Sequence, residues 1–241
     1  MRLNSPSTGR LDPGIVQRDA LIQQTIEFVW SSLLPWREEV DCSFPDAEEE
    51  LNGDINDFLD IRAREHCPMV FFRHEQKEEK NRRVDMAAKP VRPVLIQGKI
   101  YMRRRPILLI EGKRLPAPPP KVREKEYLTG QPEISGGVQR FKLGLHGKEH
   151  EVAILLGYIQ KGTPKDWHKQ INIWVEELAS AHPESWSHSE CLSTLTPQKA
   201  ETHSRCSSSH LRTGKCRTTR ILLHHFWISI PIPATKEASQ L

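Results

Sequence analysis

The sequence predicts a mixed α/β (α+β) fold, a small mixed sheet flanked by helices. Three observations lead there. The apolar runs "PILLIEGKRL" at 106–115 and "EVAILLGYIQ" at 151–160 read as buried strands. The run "TPKDWHKQINIWVEELASAH" at 163–182 repeats its apolar residues at helical spacing and opens with helix-start residues. Strand-like and helix-like segments also alternate along the chain instead of falling into two blocks.

In chain order, residues 1–14 are expected to be loose. A helix is expected from Asp19 to Leu34, with Leu21, Ile22, Ile26, Val29 and Leu33 at helical spacing. Pro35 should close it, because the residue before a proline avoids the helical region. "CSFPD" reads as a turn. Asp46 should then cap a second helix, with Glu49 as its capping-box partner and Leu51, Ile55, Phe58 and Leu59 as its stripe. "PMVFFRHE" and "RVDMAA" read as short strands around the charged turn "QKEEKNRR". The stretch 93–115 reads as extended segments broken at Gln97–Gly98 and Arg104–Arg105. The proline run "LPAPPPKV" excludes regular pairing, and helical potential returns near Lys121 and near Gly137–Leu143. In the helix at 163–182, Thr163 is the cap, Pro164 the first helical residue and Asp166 the box partner. Its stripe is Trp167, Ile171, Trp174, Val175 and Leu178, which assigns both tryptophans to packing. Beyond Pro183 the composition turns to Ser, Thr, His and Cys, expected to be a loop or poorly ordered, before a last strand in "TTRILLHHFWISIPI". The implied organisation is an N-terminal helical extension over 1–44, a core over 45–182, and a tail over 183–241 that packs on the core.

Bulk properties narrow the function classes. The 241 residues carry 35 Lys and Arg against 31 Asp and Glu, a formal charge of +4, so any strongly basic surface must be local. Five cysteines, at 42, 67, 191, 206 and 216, are odd in number and widely spaced, which argues for a reducing compartment and against a disulfide framework. The opening residues hold no apolar signal-like core, and no apolar run approaches the roughly 20 residues that cross a bilayer. The expectation is an intracellular protein with no membrane partner, nucleus and cytoplasm not separated. No helix-turn-helix, zinc-finger spacing or glycine-rich phosphate loop is present to supply sequence specificity.

The chemistry gathers on one strand. Glu111 and Lys113 are two apart, so both lie on one face of it. Asp85, between Val84 and Met86, ends an extended segment that is expected to pair with this strand. Two carboxylates brought close repel unless a cation stands between them. Mg²⁺, with Mn²⁺ as a substitute, takes carboxylates plus phosphate oxygens and water. Asp85, Glu111 and the Gly112 carbonyl form a candidate ligand set, with Lys113 orienting a water or screening phosphate charge. An isolated E-x-K is ordinarily a surface ion pair; Asp85 is what raises its interest.

Asp85, the intervening apolar strand and "IEGK" at 110–113 together resemble the PD-(D/E)xK nuclease superfamily, of restriction-endonuclease-like fold. The resemblance spans about residues 45–180 and is nearest to uncharacterised fungal and bacterial nuclease-like domains. It implies a core of helix, three strands, helix and strand, with the aspartate on the second core strand and E-x-K on the third. It implies metal-dependent hydrolysis of nucleic acid, DNA ahead of RNA, with a catalytically silent binding or interaction module as the alternative. A homodimer is compatible with it. It points to a glutamate of the leading helix, for which Glu48 is chosen with Glu49 and Glu50 open. It also points to Gln139 in the helix after E-x-K, with Arg140 as a phosphate contact, and Glu75 as a supporting acid. Val84 stands where the family has proline, and Gly112 where it commonly has a larger residue.

Two further features stand apart. "YMRRRP" sets Arg103, Arg104 and Arg105 beside the site, as phosphate contacts or as a solvated turn. His188, Cys191, His203, Cys206, His210 and Cys216 are of zinc-binding type, but their spacing is irregular, which favours a biased loop.

Overall fold

Two apolar clusters, one on each side of a seven-stranded sheet, organise the chain. The computed structural model describes residues 20–39, 44–77, 82–96, 98–130, 136–197, 202–213 and 215–230. The first residues and Cys42 lie outside that set. Helices α1 (Ala20–Arg37) and α2 (Glu48–His66) lead into β1 (Val70–Lys77) and β2 (Arg83–Pro90). A small hairpin, β3 (Val94–Ile96) and β4 (Lys99–Tyr101), precedes β5 (Leu108–Leu115). Then follow α3 (Gly137–Lys142), β6 (Val152–Ile159), α4 (Pro164–Ala181), β7 (Thr196–Pro197), β8 (His203–Leu211) and β9 (Arg220–Ser229).

The sheet order is β1-β2-β5-β6-β9-β8-β7, with β3–β4 as a separate two-stranded sheet. The neighbours β5, β6 and β9 are parallel, and the outer pairs are antiparallel. A parallel strand in mid-sheet is covered on both faces, which is why β5 and β6 read as unbroken apolar runs. On one face, Ile26, Val29 and Leu33 of α1 and Leu51, Ile55 and Leu59 of α2 pack on Ile110, Leu156 and Phe226. On the other, Ile171, Trp174 and Val175 of α4 pack among Leu155, Leu223 and Trp227. The result is a mixed sheet between two helical layers. Among the described residues, no helix is long and apolar enough to cross a membrane.

The start of α4 is as the sequence predicts. Thr163 Oγ1 accepts the Asp166 N–H at 3.2 Å, and Asp166 Oδ2 accepts the Thr163 N–H at 3.0 Å. Trp174 is buried and Trp167 packs against it, ring centres 6.1 Å apart. Three expectations are corrected. Helix α1 runs through Pro35 to Arg37. A proline in the last turn forfeits one hydrogen bond, and the fully buried Trp36 offsets it by stacking edge-on against Phe44 and donating to Asp54 Oδ2 at 2.7 Å. Helix α2 has Ala47 at its N-cap and no side-chain cap. Asp46 instead accepts from Arg114 Nη2 at 2.8 Å and from Gln160 Nε2 at 3.1 Å, tying the helix start to the sheet. The Ser- and His-rich stretch beyond Pro183 holds β8, which pairs along its whole length with β9. Its alternation of small polar and buried residues is strand-like, and the pattern is hidden by composition.

Candidate functional site

Strands β2 and β5 pair over only three residues, Met86↔Ile110, Ala87↔Leu109 and Ala88↔Leu108. One step further the register brings Asp85 opposite Glu111, and there the ladder stops. The Asp85 side chain takes over, its Oδ2 accepting the Gly112 N–H at 2.8 Å. On the other side of β2, the ladder with β1 skips the step between His74↔Met86 and Gln76↔Val84. The residue left out is Glu75, at φ 49°, a left-handed conformation that costs a non-glycine residue energy. Glu75, Asp85 and Glu111 thus lie in one row across three strands, and both ladders break along it. Glu75 itself pairs with Arg83.

Alternation puts Glu111 and Lys113 on the face of Leu109 and Leu115, which belong to the α4-side core. Both are buried. Glu111 Oε1 accepts from Arg140 Nη1 at 2.8 Å and stands 3.3 Å from Lys113 Nζ. Glu111 Oε2 lies 3.7 Å from His146 Nε2 and, among the described residues, has no hydrogen-bond partner. Lys113 Nζ donates to Glu48 Oε1 at 2.7 Å and to the Gly112 carbonyl at 2.8 Å. Glu48 Oε2 also accepts the Arg114 N–H at 3.1 Å. The first residue of α2 is therefore anchored to the end of β5 by both carboxylate oxygens.

Gly112 is the position that lets α2 approach. A Cβ there would stand 1.9 Å from Asn52 Oδ1, the oxygen that also accepts from the Tyr158 hydroxyl at 2.7 Å. The glycine at this position has a packing cause in this chain.

The charges are unequal. Burial works against an ionised Glu111, but Lys113, His146 and Arg140 outweigh it and hold the carboxyl below its usual range. Asp85 lacks such company. Burial first, then Glu111 and Glu48, push its carboxyl up to about 7, against the pull of Lys113 and the Gly112 N–H. Burial also opposes the Lys113 charge, yet Glu111, Glu48 and Asp85 raise its pKa above the usual lysine range. Lys113 is a permanent cation here and not a base.

The structure thus gathers Asp85, Glu111, Lys113 and Glu48 as a network, and assigns α2's contact to Glu48 over Glu49 and Glu50. Gln139 goes elsewhere: its Oε1 accepts the Gly130 N–H at 3.2 Å, bracing the loop before α3. The neighbouring Arg140 reaches Glu111 instead. His146 and Asn52 went unrecognised in the sequence. Asn52 beside the apolar Leu51 carries a faint signal, a buried amide on a helix; His146, in a loop after α3, carries none.

Whether these groups suit a divalent cation can be tested on their own chemistry. Among the described residues, no group of three or more His, Cys, Asp and Glu side chains is placed to hold a metal ion. The donors are two carboxylates, Asp85 and Glu111, plus the Gly112 carbonyl, which has one lone pair left beside Lys113. An ungratified Glu111 Oε2 and an Asp85 whose charge is costly are both what a hard cation would relieve. The set fits, with water supplying the remaining positions.

The zinc-type residues are dispersed. His203 packs on the Trp30 ring, 4.6 Å between centres, and Cys206 is buried in the core. His210 belongs to a buried polar chain. Trp227 Nε1–H donates to the Tyr127 hydroxyl at 2.8 Å, which lies 2.8 Å from His225 Nδ1. His225 Nε2 and His210 Nε2 each lie 2.6 Å from Ser208 Oγ. His210 Nδ1 stands 3.3 Å from Glu190 Oε2, which also pairs with Lys142. Since an indole N–H only donates, the chain is polarised from Trp227 toward the Glu190 carboxylate, with His210 Nδ1 beside that carboxylate but without a hydrogen bond among the described residues. No protein-family model, curated protein or solved structure matches this chain.

Proposed function

We propose that the chain is a metal-dependent phosphodiesterase acting on nucleic acid, with DNA as the leading substrate. The observation that carries the reading is the meeting of Asp85, Glu111 and Lys113 where β2 and β5 part, with Glu48 closing the network from α2. The order of elements supports it. Helix α2, strands β1, β2 and β5, helix α3 and strand β6 follow the restriction-endonuclease-like sequence, with the β3–β4 hairpin inserted. Asp85 lies on the second of those strands and Glu111 and Lys113 on the third.

Asp85, Glu111 and the Gly112 carbonyl would hold Mg²⁺ or Mn²⁺. Such an ion lowers the pKa of a bound water and polarises a phosphodiester. The protein's own groups do the rest. Arg140 and Lys113 keep Glu111 ionised and aimed. Lys113 supplies fixed positive charge beside the reacting phosphate, in a buried setting where that charge acts strongly. Glu48 and the Gly112 carbonyl hold that ammonium in place.

The second reading, a silent module of the same fold, draws on the completeness of the Lys113 contacts: its ammonium already meets Glu48, Gly112 and Glu111. One assay separates the two. Purified protein is incubated with labelled DNA and RNA in Mg²⁺, Mn²⁺ or chelator, beside Asp85→Asn and Lys113→Ala. The enzyme reading expects metal-dependent cleavage that both substitutions abolish. No cleavage with either metal, or cleavage indifferent to both substitutions, sinks it.

A further inference from the structure

The carboxylate network does not account for the cleft beside it. A half-enclosed cleft of ≈ 760 Å³ runs between the ends of β1 and β2, the β4 strand, the approach to β5, the loop after α3 and the β8–β9 loop. Lys77, Arg82, Arg104, Arg105 and Lys215 all line it. All five are exposed, and none forms an ion pair among the described residues. The acid that lines the cleft, Glu149, is already held by Lys99 at 2.7 Å. In a chain of formal charge only +4, this is a local concentration of basic charge. These side chains come from distant parts of the sequence, and the sheet order gathers them into one exposed cluster of like charge. That is the arrangement expected of a site whose occupant brings several negative charges.

We infer that this cleft binds the sugar–phosphate backbone of single-stranded nucleic acid. Its size is that of a pocket and not of a surface that cradles a duplex, since small-molecule pockets span roughly 300–1,000 Å³. A flexible strand can enter such a cleft with successive phosphates reaching different cations. Arginine forks at 104 and 105 suit phosphate oxygens. Of the two rings in the lining, Tyr101 is buried against Lys99 and His150 is half-buried with its Nε2 3.1 Å from the Pro106 carbonyl, so neither is an open stacking platform and binding is indifferent to base identity. The inference deepens the nuclease reading by naming its substrate form. Geometry connects them: Lys77 at the end of β1 and Arg82 just before β2 follow and precede the Glu75–Asp85 row, and the loop after α3 that lines the cleft continues to His146 beside Glu111.

The test is fluorescence anisotropy in EDTA, where no cleavage occurs, with a mixed-sequence single strand, the blunt duplex of the same sequence, ATP and heparin. The single strand is expected to bind at least tenfold tighter than the duplex, and roughly 100-fold more weakly at 200 mM than at 50 mM salt. Arg104→Ala with Arg105→Ala, and separately Lys215→Ala, should each weaken binding and flatten the salt dependence, with circular dichroism reporting an intact fold. Equal binding of duplex and single strand, preference for ATP, heparin binding that the arginine substitutions do not touch, or strand binding that survives both sets of substitutions each overturn the inference. A protein that binds in this way and never cleaves defeats the nuclease reading and leaves the cleft standing.

Discussion

The sheet carries two buried ionic clusters, and they are built on opposite principles. Around Glu190 both carboxylate oxygens have a hydrogen-bond partner, although His210 Nδ1, 3.3 Å away, has none among the described residues. Lys142 and His210 face one carboxylate oxygen, the Leu211 N–H reaches the other at 3.0 Å, and the histidines continue the chain to Tyr127 and Trp227. Burial weighs against the Glu190 charge, but His210 and Lys142 bring its carboxyl down to about 2. For Lys142 itself burial outweighs the pairing and lowers its pKa, and burial lowers His210 and His225 likewise. Around Glu111 the matching fails: one carboxylate oxygen lacks a hydrogen bond, and the neighbouring Asp85 is driven to about 7. A buried carboxylate partnered at both oxygens holds elements together. A cluster left short of positive charge at the end of two strands is arranged for something that arrives.

Breaking the matched cluster should cost most. Lys142→Met leaves Glu190 buried without its lysine, and is expected to lower unfolding free energy by ~3–5 kcal/mol in denaturant titrations. Glu190 also sets a pH signature. Its folded pKa lies below its ordinary 4.5, so its stabilisation is present above that pH and fades as pH falls toward 2. Glu190→Gln should erase that portion of the acid transition, and an unchanged transition would count against the cluster.

Gly112→Ala tests the close approach of α2. Its methyl meets the Asn52 amide, and the expected loss is about 2–3 kcal/mol, partly recovered by adding Asn52→Ala. Additive losses in the double variant would mean that the two positions do not touch.

Asp85→Asn sharpens the contrast in the opposite direction. In chelator, the raised pKa means that the folded protein binds more protons than the unfolded chain between about 4 and about 7. Asp85 therefore favours folding below that window and loses the contribution as pH rises through about 7. The amide variant should lack this decline and be more stable by about 2 kcal/mol at pH 8. Added Mg²⁺ should stabilise the parent protein at pH 8 more than at pH 6, and the variant at neither. The smallest effect belongs to the exposed start of α4: Thr163→Ala should cost about 1 kcal/mol through its lost cap.

How much of this was legible follows from how local each signal is. The α4 start was readable because Thr163, Pro164 and Asp166 act within one turn. Strands β5 and β6 were readable because mid-sheet burial writes a continuous apolar run. Asp85, Glu111 and Lys113 were legible by residue type and spacing, and Glu48 by its place on the Leu51–Ile55 face. The partner swap from Gln139 to Arg140 was not, because adjacent helical positions differ by the orientation of a short helix that no local signal fixes. Strand β8 was masked by its serines, which face β9 and the buried histidines and not water alone. Cleft residues from separate segments meet only through the sheet order, which pattern alone leaves open.

That order places β9, last of the described strands in the chain, between β6 and β8. Its Phe226 and Trp227 fill both cores at once. During synthesis the sheet cannot close until residues 220–229 have left the ribosome, and until then β6 presents an open apolar edge. A chain halted just short of Arg220 would retain every residue of the proposed active site and lack the strand that holds the two halves of the sheet together. Such a product should collect in aggregates or be degraded, so that possession of the site residues alone does not confer the activity.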